Sequence, residues 1–216
     1  MADGSVMSQV AEYGVVPVIA IDSVDAAIPL ADALLEGGLP VIEVTFRTAA
    51  AVDAIRRIAS ERPKLVVGAG TVLTSENLEA AKAAGAQFAV APGLNPQIVE
   101  QAQKMDLPFV PGIATPSDIE RSLSLGCKLL KFFPAGALGG PVMLKALSAP
   151  YKHTGVRFMP TGGVNTENLE SYVKISTVAA VGGTWVAKTD DLNAGKWDEI
   201  RARCHAATQM VKKARG

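Results

Sequence analysis

Apolar residues fall along this chain in short bursts, and each burst is followed by a longer stretch in which apolar and polar positions mix. The bursts are VVPVIAI (15–21), PVIEVTF (40–46), LVVGAG (65–70), FAVAPG (88–93), FVPGIA (109–114), LLKFFP (129–134), RFMPTG (157–162) and VAAVGG (178–183). Runs of this length, closed by Pro or Gly, predict buried strands. Their starts lie roughly 20–28 residues apart, which leaves room for one crossover helix in every interval.

The intervening stretches read as helices. VDAAIPLADALLEGG (24–38) ends in a glycine pair suited to a C-cap, and Pro29 predicts a kink or a later start. SENLEAAKAAG (75–85) opens on Ser and closes on Gly85. In TPSDIERSLSLG (115–126) Ser117 and Glu120 have capping-box spacing, and in TENLESYVKI (166–175) Thr166 is the candidate cap. The first 14 residues and the tail (193–215) also read as helix. Strand and helix alternate eight times with no linker. The expectation is therefore one α/β domain over residues 1–216, a (β/α)8 TIM barrel with an extra N-terminal helix across its bottom and a C-terminal helical tail outside. A doubly wound open sheet is the competing arrangement.

Composition changes this picture little. The chain of 216 residues is 49% hydrophobic and 19% charged, too apolar for disorder. Its 21 basic and 21 acidic residues balance, and no basic run suggests a nucleic-acid surface. No apolar stretch reaches the ~18 residues of a membrane span, and the N-terminus lacks the pattern of a signal peptide. Two distant cysteines, Cys127 and Cys204, suggest no disulfide framework and fit a reducing cytoplasm; no role is assigned to them. Two histidines, His153 and His205, are too few and too scattered to suggest a histidine metal site.

Chemistry shows where a polar residue interrupts a strand. In VIEVTFRT, alternation puts Glu43, Thr45 and Arg47 on one face and Ile42, Val44 and Phe46 on the other. With the apolar set facing the helices, the charged set faces the barrel interior; a purely structural Glu–Arg pair is the plainer alternative. In LLKFFP, Lys131 shares a face with Leu129 and Phe133. Burying an ammonium there is costly unless it is paired or loses its proton. A lone lysine of this kind more often snorkels to water, but opposite a strand glutamate a desolvated amine becomes a candidate nucleophile toward carbonyls. Lys128, on the other face, reads as solvated.

Two glycine pairs complete the set. PTGGV ends the seventh run with Thr161, Gly162 and Gly163, and VGGTW ends the eighth with Gly182, Gly183 and Thr184. Paired glycines let backbone N–H groups approach an anion, and barrels often hold a phosphate at these two strand ends. Taken singly, such pairs are merely tight turns. GAGTVL offers Thr71 as a hydrogen-bonding group, and the Pro-Gly turns of VAPGLNP and VPGIATP shape the mouth.

The motifs VIEVTFRT, GAGTVL, APG, PGIATPSD, KFFPA, PTGGV and VGGTW resemble those of the class I 2-keto-3-deoxy-6-phosphogluconate (KDPG) aldolases, which also act on 4-hydroxy-2-oxoglutarate (KHG). The similarity runs from about residue 8 to the end of the barrel. It implies that Lys131 is the Schiff-base lysine and Glu43 the general acid/base. It implies that Arg47 holds the substrate carboxylate, with Thr71 nearby, Thr161 beside the pyruvate portion, and Pro92 and Phe133 lining the site. Gly162, Gly163, Gly183 and Thr184 match the phosphate pocket. The partners implied are a phosphorylated keto-sugar acid and pyruvate, and the assembly a homotrimer that needs no metal or other cofactor. Threonine stands at 184 where the family often has serine, and phenylalanine at 46 where it often has leucine. The related phosphogalactonate aldolases, another phosphosugar enzyme on the same barrel, and a non-catalytic phosphosugar-binding or assembly barrel remain the alternatives.

Overall fold

The computed structural model describes residues 5–216. All eight apolar runs contain strand, with strands labelled β1 to β9 in chain order. They are β1 (Val15–Ile19), β2 (Val41–Thr45), β3 (Val66–Gly70), β4 (Phe88–Val90), β5 (Phe109–Val110), β6 (Gly112–Ile113), β7 (Leu129–Phe132), β8 (Arg157–Phe158) and β9 (Val181–Gly183). The fifth run yields two strands because Pro111, lacking an N–H, interrupts it. Gly112 meanwhile donates to Gly93 O at 3.1 Å, and a side chain at Gly112 would run into the Pro92 carbonyl.

Every pairing between strands is parallel. One curled sheet has the order β5-β4-β3-β2-β1-β9 and a second has β6-β7-β8. Isolated parallel bridges, Phe158 to Val178 and Thr161 to Gly182, join the β8 segment to the one carrying β9. The observed architecture is thus a parallel α/β fold with a curled sheet and helices between successive strands, β5 and β6 excepted. Parallel strands covered in this way are buried on both faces, and β1, β2 and β3 are buried throughout.

The helices follow the apolar periodicity. Ala51–Glu61 buries Ala51, Ala54, Ile55 and Ile58, one stripe along its length. Each of its two isoleucines contributes about 1.5–3 kcal/mol by leaving water. Pro29 takes effect as a later start: a 3-10 turn (Val24–Ala26) precedes the α-helix Ala27–Glu36, leaving Pro29 in the first turn where a missing N–H is harmless.

Two caps differ from expectation. The helix Pro116–Ser124 is capped by Thr115 with Asp118 completing the capping box, in place of Ser117 and Glu120. Proline is pre-organised for the first helical position, which moves the cap one residue upstream of Pro116. The helix near Thr166 begins only at Leu169, and the Asn165 side chain satisfies the N–H groups of Glu167 and Asn168.

Helix Val6–Tyr13 lies at the end of the sheet where the strands begin. With Phe109, Leu129, Arg157 and neighbours it lines a groove of about 780 Å³. Residues 1–4 of the expected N-terminal helix lie outside the described residues. The tail forms helix Trp197–Arg215, which packs on Ala27–Glu36 and Leu169–Val173. Gly37 permits that contact, since a side chain there would meet the Cys204 Cβ. Both cysteines are free and buried, and burial pushes the Cys204 thiol up to about 12. No helix among the described residues is long and apolar enough to cross a membrane.

Candidate active site

At the opposite end, where the strands finish, a cavity of about 230 Å³ opens among residues of β1, β2, β7 and β9 and the residues that follow β3, β4 and β8. It gathers Glu43, Arg47, Thr71, Pro92, Lys131, Phe133, Thr161, Gly162, Gly163 and Thr184, all the sequence candidates except Gly183. The groove beneath the N-terminal helix is larger, but no buried amine–carboxylate pair lines it.

At the floor, Lys131 Nζ stands 3.4 Å from Glu43 Oε1. Glu43 is fully buried and Lys131 is 4% exposed. Strand alternation places them there: Glu43 sits at the centre of β2 and Lys131 near the end of β7, each flanked by apolar residues facing outward. The second carboxylate oxygen, Glu43 Oε2, has no hydrogen-bond partner among the described residues. A buried carboxylate with one idle oxygen is poised to take a proton or a hydrogen bond from something that enters the cavity. Gly70 makes the room, because a Cβ there would overlap Glu43 Oε1. Lys131 Nζ lies 5.3 Å from the centre of the Phe133 ring.

At the rim, Arg47 is exposed, and its Nε donates to Thr45 Oγ1 at 3.1 Å. Thr71 follows β3 with φ +58°, a left-handed conformation that a β-branched residue adopts only under constraint. The constraint comes from β4, since Val72 N–H donates to Val90 O at 3.1 Å.

The far wall is backbone. Gly162 and Gly163 have φ of +90° and +79°, so this glycine nest is a bend that favours two glycines and leaves two successive N–H groups with no side chain beside them. The N–H groups of Gly162, Gly163 and Thr184 donate to no protein acceptor among the described residues. The next loop braces the nest, with Gly136 N–H donating to Gly162 O at 2.8 Å. Such a nest beside a threonine hydroxyl suits an anion.

Gly183 does not line the cavity; its neighbour Gly182 does, and the Trp185 ring fills the space beside Gly183. A one-residue step along a strand reverses the face, and the pair Gly182–Gly183 gave no sign of which one points inward. Val18, Thr45 and Val164 are the other lining residues that sequence reasoning did not single out. For Thr45 the signal was present in its alternation with Glu43 and Arg47. Among the described residues no group of three or more His, Cys, Asp or Glu is gathered to hold a metal.

Comparison with known proteins agrees with this geometry. Residues 6–203 match the family model described as KDPG and KHG aldolase. A 2-dehydro-3-deoxy-phosphogluconate aldolase of Haemophilus influenzae is 42% identical over 207 residues, covering 96% of this chain and 97% of that one. The KDPG aldolase of Legionella pneumophila, solved with pyruvate captured as a covalent carbinolamine, superposes with a TM-score of 0.90 at 39% identity over 94% of this chain and 98% of that one. The Zymomonas mobilis KDPG aldolase solved with 3-phosphoglycerate gives 0.85 at 38% identity, covering 94% of each chain.

Proposed function

The chain belongs to the KDPG and KHG aldolase family, and from that premise we propose that it is a class I aldolase using Lys131 as its Schiff-base residue. It cleaves 2-keto-3-deoxy-6-phosphogluconate reversibly to pyruvate and glyceraldehyde 3-phosphate, and 4-hydroxy-2-oxoglutarate to pyruvate and glyoxylate. The observation that carries the reading is the buried Lys131 amine 3.4 Å from the buried Glu43 carboxylate, at the floor of a cavity with an arginine at its rim.

The substrate carboxylate pairs with the Arg47 guanidinium, whose planar fork suits two parallel hydrogen bonds, and Thr71 lies beside it. This brings the C2 ketone to Lys131. The neutral amine adds to C2, and the carbinolamine loses water to give an iminium. Glu43 takes the C4 hydroxyl proton, directly or through a water. The C3–C4 bond breaks, its electrons pass into the iminium, and glyceraldehyde 3-phosphate departs, leaving an enamine. Glu43 returns a proton to C3, and water hydrolyses the pyruvate iminium to restore Lys131. The iminium is the electron sink, so the scheme assigns no step to a metal or other cofactor. Thr161, Pro92 and Phe133 enclose the pyruvate portion. The glycine nest of Gly162 and Gly163, with Thr184, receives the phosphate.

We read the two sheets as one closed eight-stranded barrel forming a single domain. The bridges between the β8 and β9 segments and the near-continuity of β5 and β6 across Pro111 support this. The family resemblance adds a homotrimer in the cytoplasm, with a phosphorylated keto-sugar acid and pyruvate as its small-molecule partners.

The test is borohydride reduction in the presence of pyruvate, followed by peptide mass mapping. A reduced pyruvate adduct on Lys131 is expected, and none on a Lys131→Ala chain. A folded, native chain that traps no adduct would rule out covalent catalysis and leave a non-covalent phosphosugar enzyme or binding barrel.

A further inference from the structure

The arginine at the rim is tethered by a hydroxyl. Thr45 closes β2, lines the cavity and is 2% exposed. Its Oγ1 donates to Ile19 O at 2.9 Å and accepts from Arg47 Nε at 3.1 Å. A threonine hydroxyl has one proton and two lone pairs. With the proton committed to the β1 carbonyl, the oxygen meets Arg47 only as an acceptor, so the polarity of the contact is fixed by the neighbouring strand.

This arrangement has two effects on Arg47. A free arginine side chain samples many rotamers, and this bond is the only side-chain hydrogen bond Arg47 makes among the described residues. Occupying Nε also removes the side-on edge of the guanidinium. The two terminal nitrogens remain, and they form the end-on fork that takes a carboxylate through two parallel bonds.

We propose that Thr45 is a positioning residue for substrate carboxylate recognition, ordering Arg47 and selecting its end-on face. The proposal rests on the reading of Arg47 as the carboxylate-binding group. Burial of the hydroxyl, the directed bond to Ile19 O and its place on the cavity wall all support it. A threonine needed only for strand propensity would be served equally by valine.

Steady-state cleavage of 2-keto-3-deoxy-6-phosphogluconate by Thr45→Val, Thr45→Ser and Arg47→Ala chains, singly and with Arg47→Ala combined with Thr45→Val, tests it. Thr45→Val should raise KM about tenfold, the scale of one charge-assisted bond, with kcat within about twofold. Thr45→Ser, which keeps the hydroxyl, should restore KM. Arg47→Ala should raise KM further, and adding Thr45→Val to it should change little, since the tether then has nothing to hold. If Arg47→Ala raises KM while Thr45→Val does not, Thr45 is a bystander and the inference fails. If the serine chain is as impaired as the valine chain, the role is packing and the inference also fails. If Arg47→Ala leaves KM unchanged, the assignment of Arg47 itself falls, and the tether falls with it.

Discussion

Lys131 Nζ and Glu43 Oε1 lie 3.4 Å apart although they are 88 positions apart in the chain, and the other carboxylate oxygen has no hydrogen-bond partner among the described residues. One oxygen contacts the amine and the other is free of hydrogen bonds, in a residue that lines the cavity. That division suits a group that must first tolerate an amine beside it and later handle the proton of a hydroxyl.

Glu43→Gln separates these duties. The amide keeps the volume and can still contact Lys131, but it cannot accept and return a proton. Adduct formation with pyruvate should persist, while cleavage of the full substrate falls by about 10²–10⁴-fold, the range of a general acid/base contribution. Borohydride trapping and turnover measured on one preparation check this, and equal losses in both would remove Glu43 as the base.

Gly70 faces Glu43 with no side chain between them. Gly70→Ala should displace the carboxylate by about the width of a methyl group. Misplacements of that size cost on the order of 10² in rate. The signature is loss of turnover with Lys131 still trappable by pyruvate. An alanine chain with full turnover would show that the carboxylate position is not critical.

Thr71 is held at φ +58°, which costs a β-branched residue about 1–3 kcal/mol. Thr71→Gly relieves that strain and offsets it with greater freedom in the unfolded chain, about 0.5–1 kcal/mol. Stability in urea should therefore hold or rise by about 1 kcal/mol, while KM for the keto acid increases as the hydroxyl is lost. Marked destabilisation with unchanged KM would make Thr71 a structural residue.

The Arg203 guanidinium beside Asp191, at 2.8 Å, holds the Asp191 carboxyl below the ordinary aspartate range. A carboxyl whose folded value is depressed stabilises the protein fully above its unfolded value, near 3.9, and loses that contribution as pH falls through the folded value. Arg203 also donates to Trp185 O at 3.3 Å, so the pair braces the loop that follows β9. Asp191→Asn should lower Tm at pH 7 through loss of about 1.5–3 kcal/mol. The gap from the native chain should narrow as pH drops below about 4. Melting curves of the two chains taken from pH 7 to pH 2 decide it, and parallel curves would contradict the assignment.

The strands were legible because each apolar run is short and bounded by turn residues. Lys131 and Glu43 stood out because charge inside such a run is costly. Thr45 was harder to see, since threonine is ordinary in strands and its role lies in the direction of one hydrogen bond. Gly182 and Gly183 are identical in sequence terms, and only the register of β9 with β1 and the place of Trp185 decide which faces the cavity. Thr115 could have been preferred to Ser117 as a cap from Pro116, which announces a first helical position. The interruption of the fifth run was likewise signalled by Pro111, but the closeness of Gly112 to the Pro92 carbonyl depends on how the turn after β4 meets β6.

Glu43, Arg47, Thr71 and Pro92 all belong to the segment that builds β1 to β5, whereas Lys131, Phe133, Thr161 and the glycine nest belong to the segment that builds β6 to β8. Neither segment carries both an acid and an amine for this chemistry. A fragment folded by itself would therefore be inert however native its local structure. On the proposed roles, turnover reports that two distant stretches of chain have met in register, so an enzymatic assay of this protein doubles as a sensor of that long-range assembly.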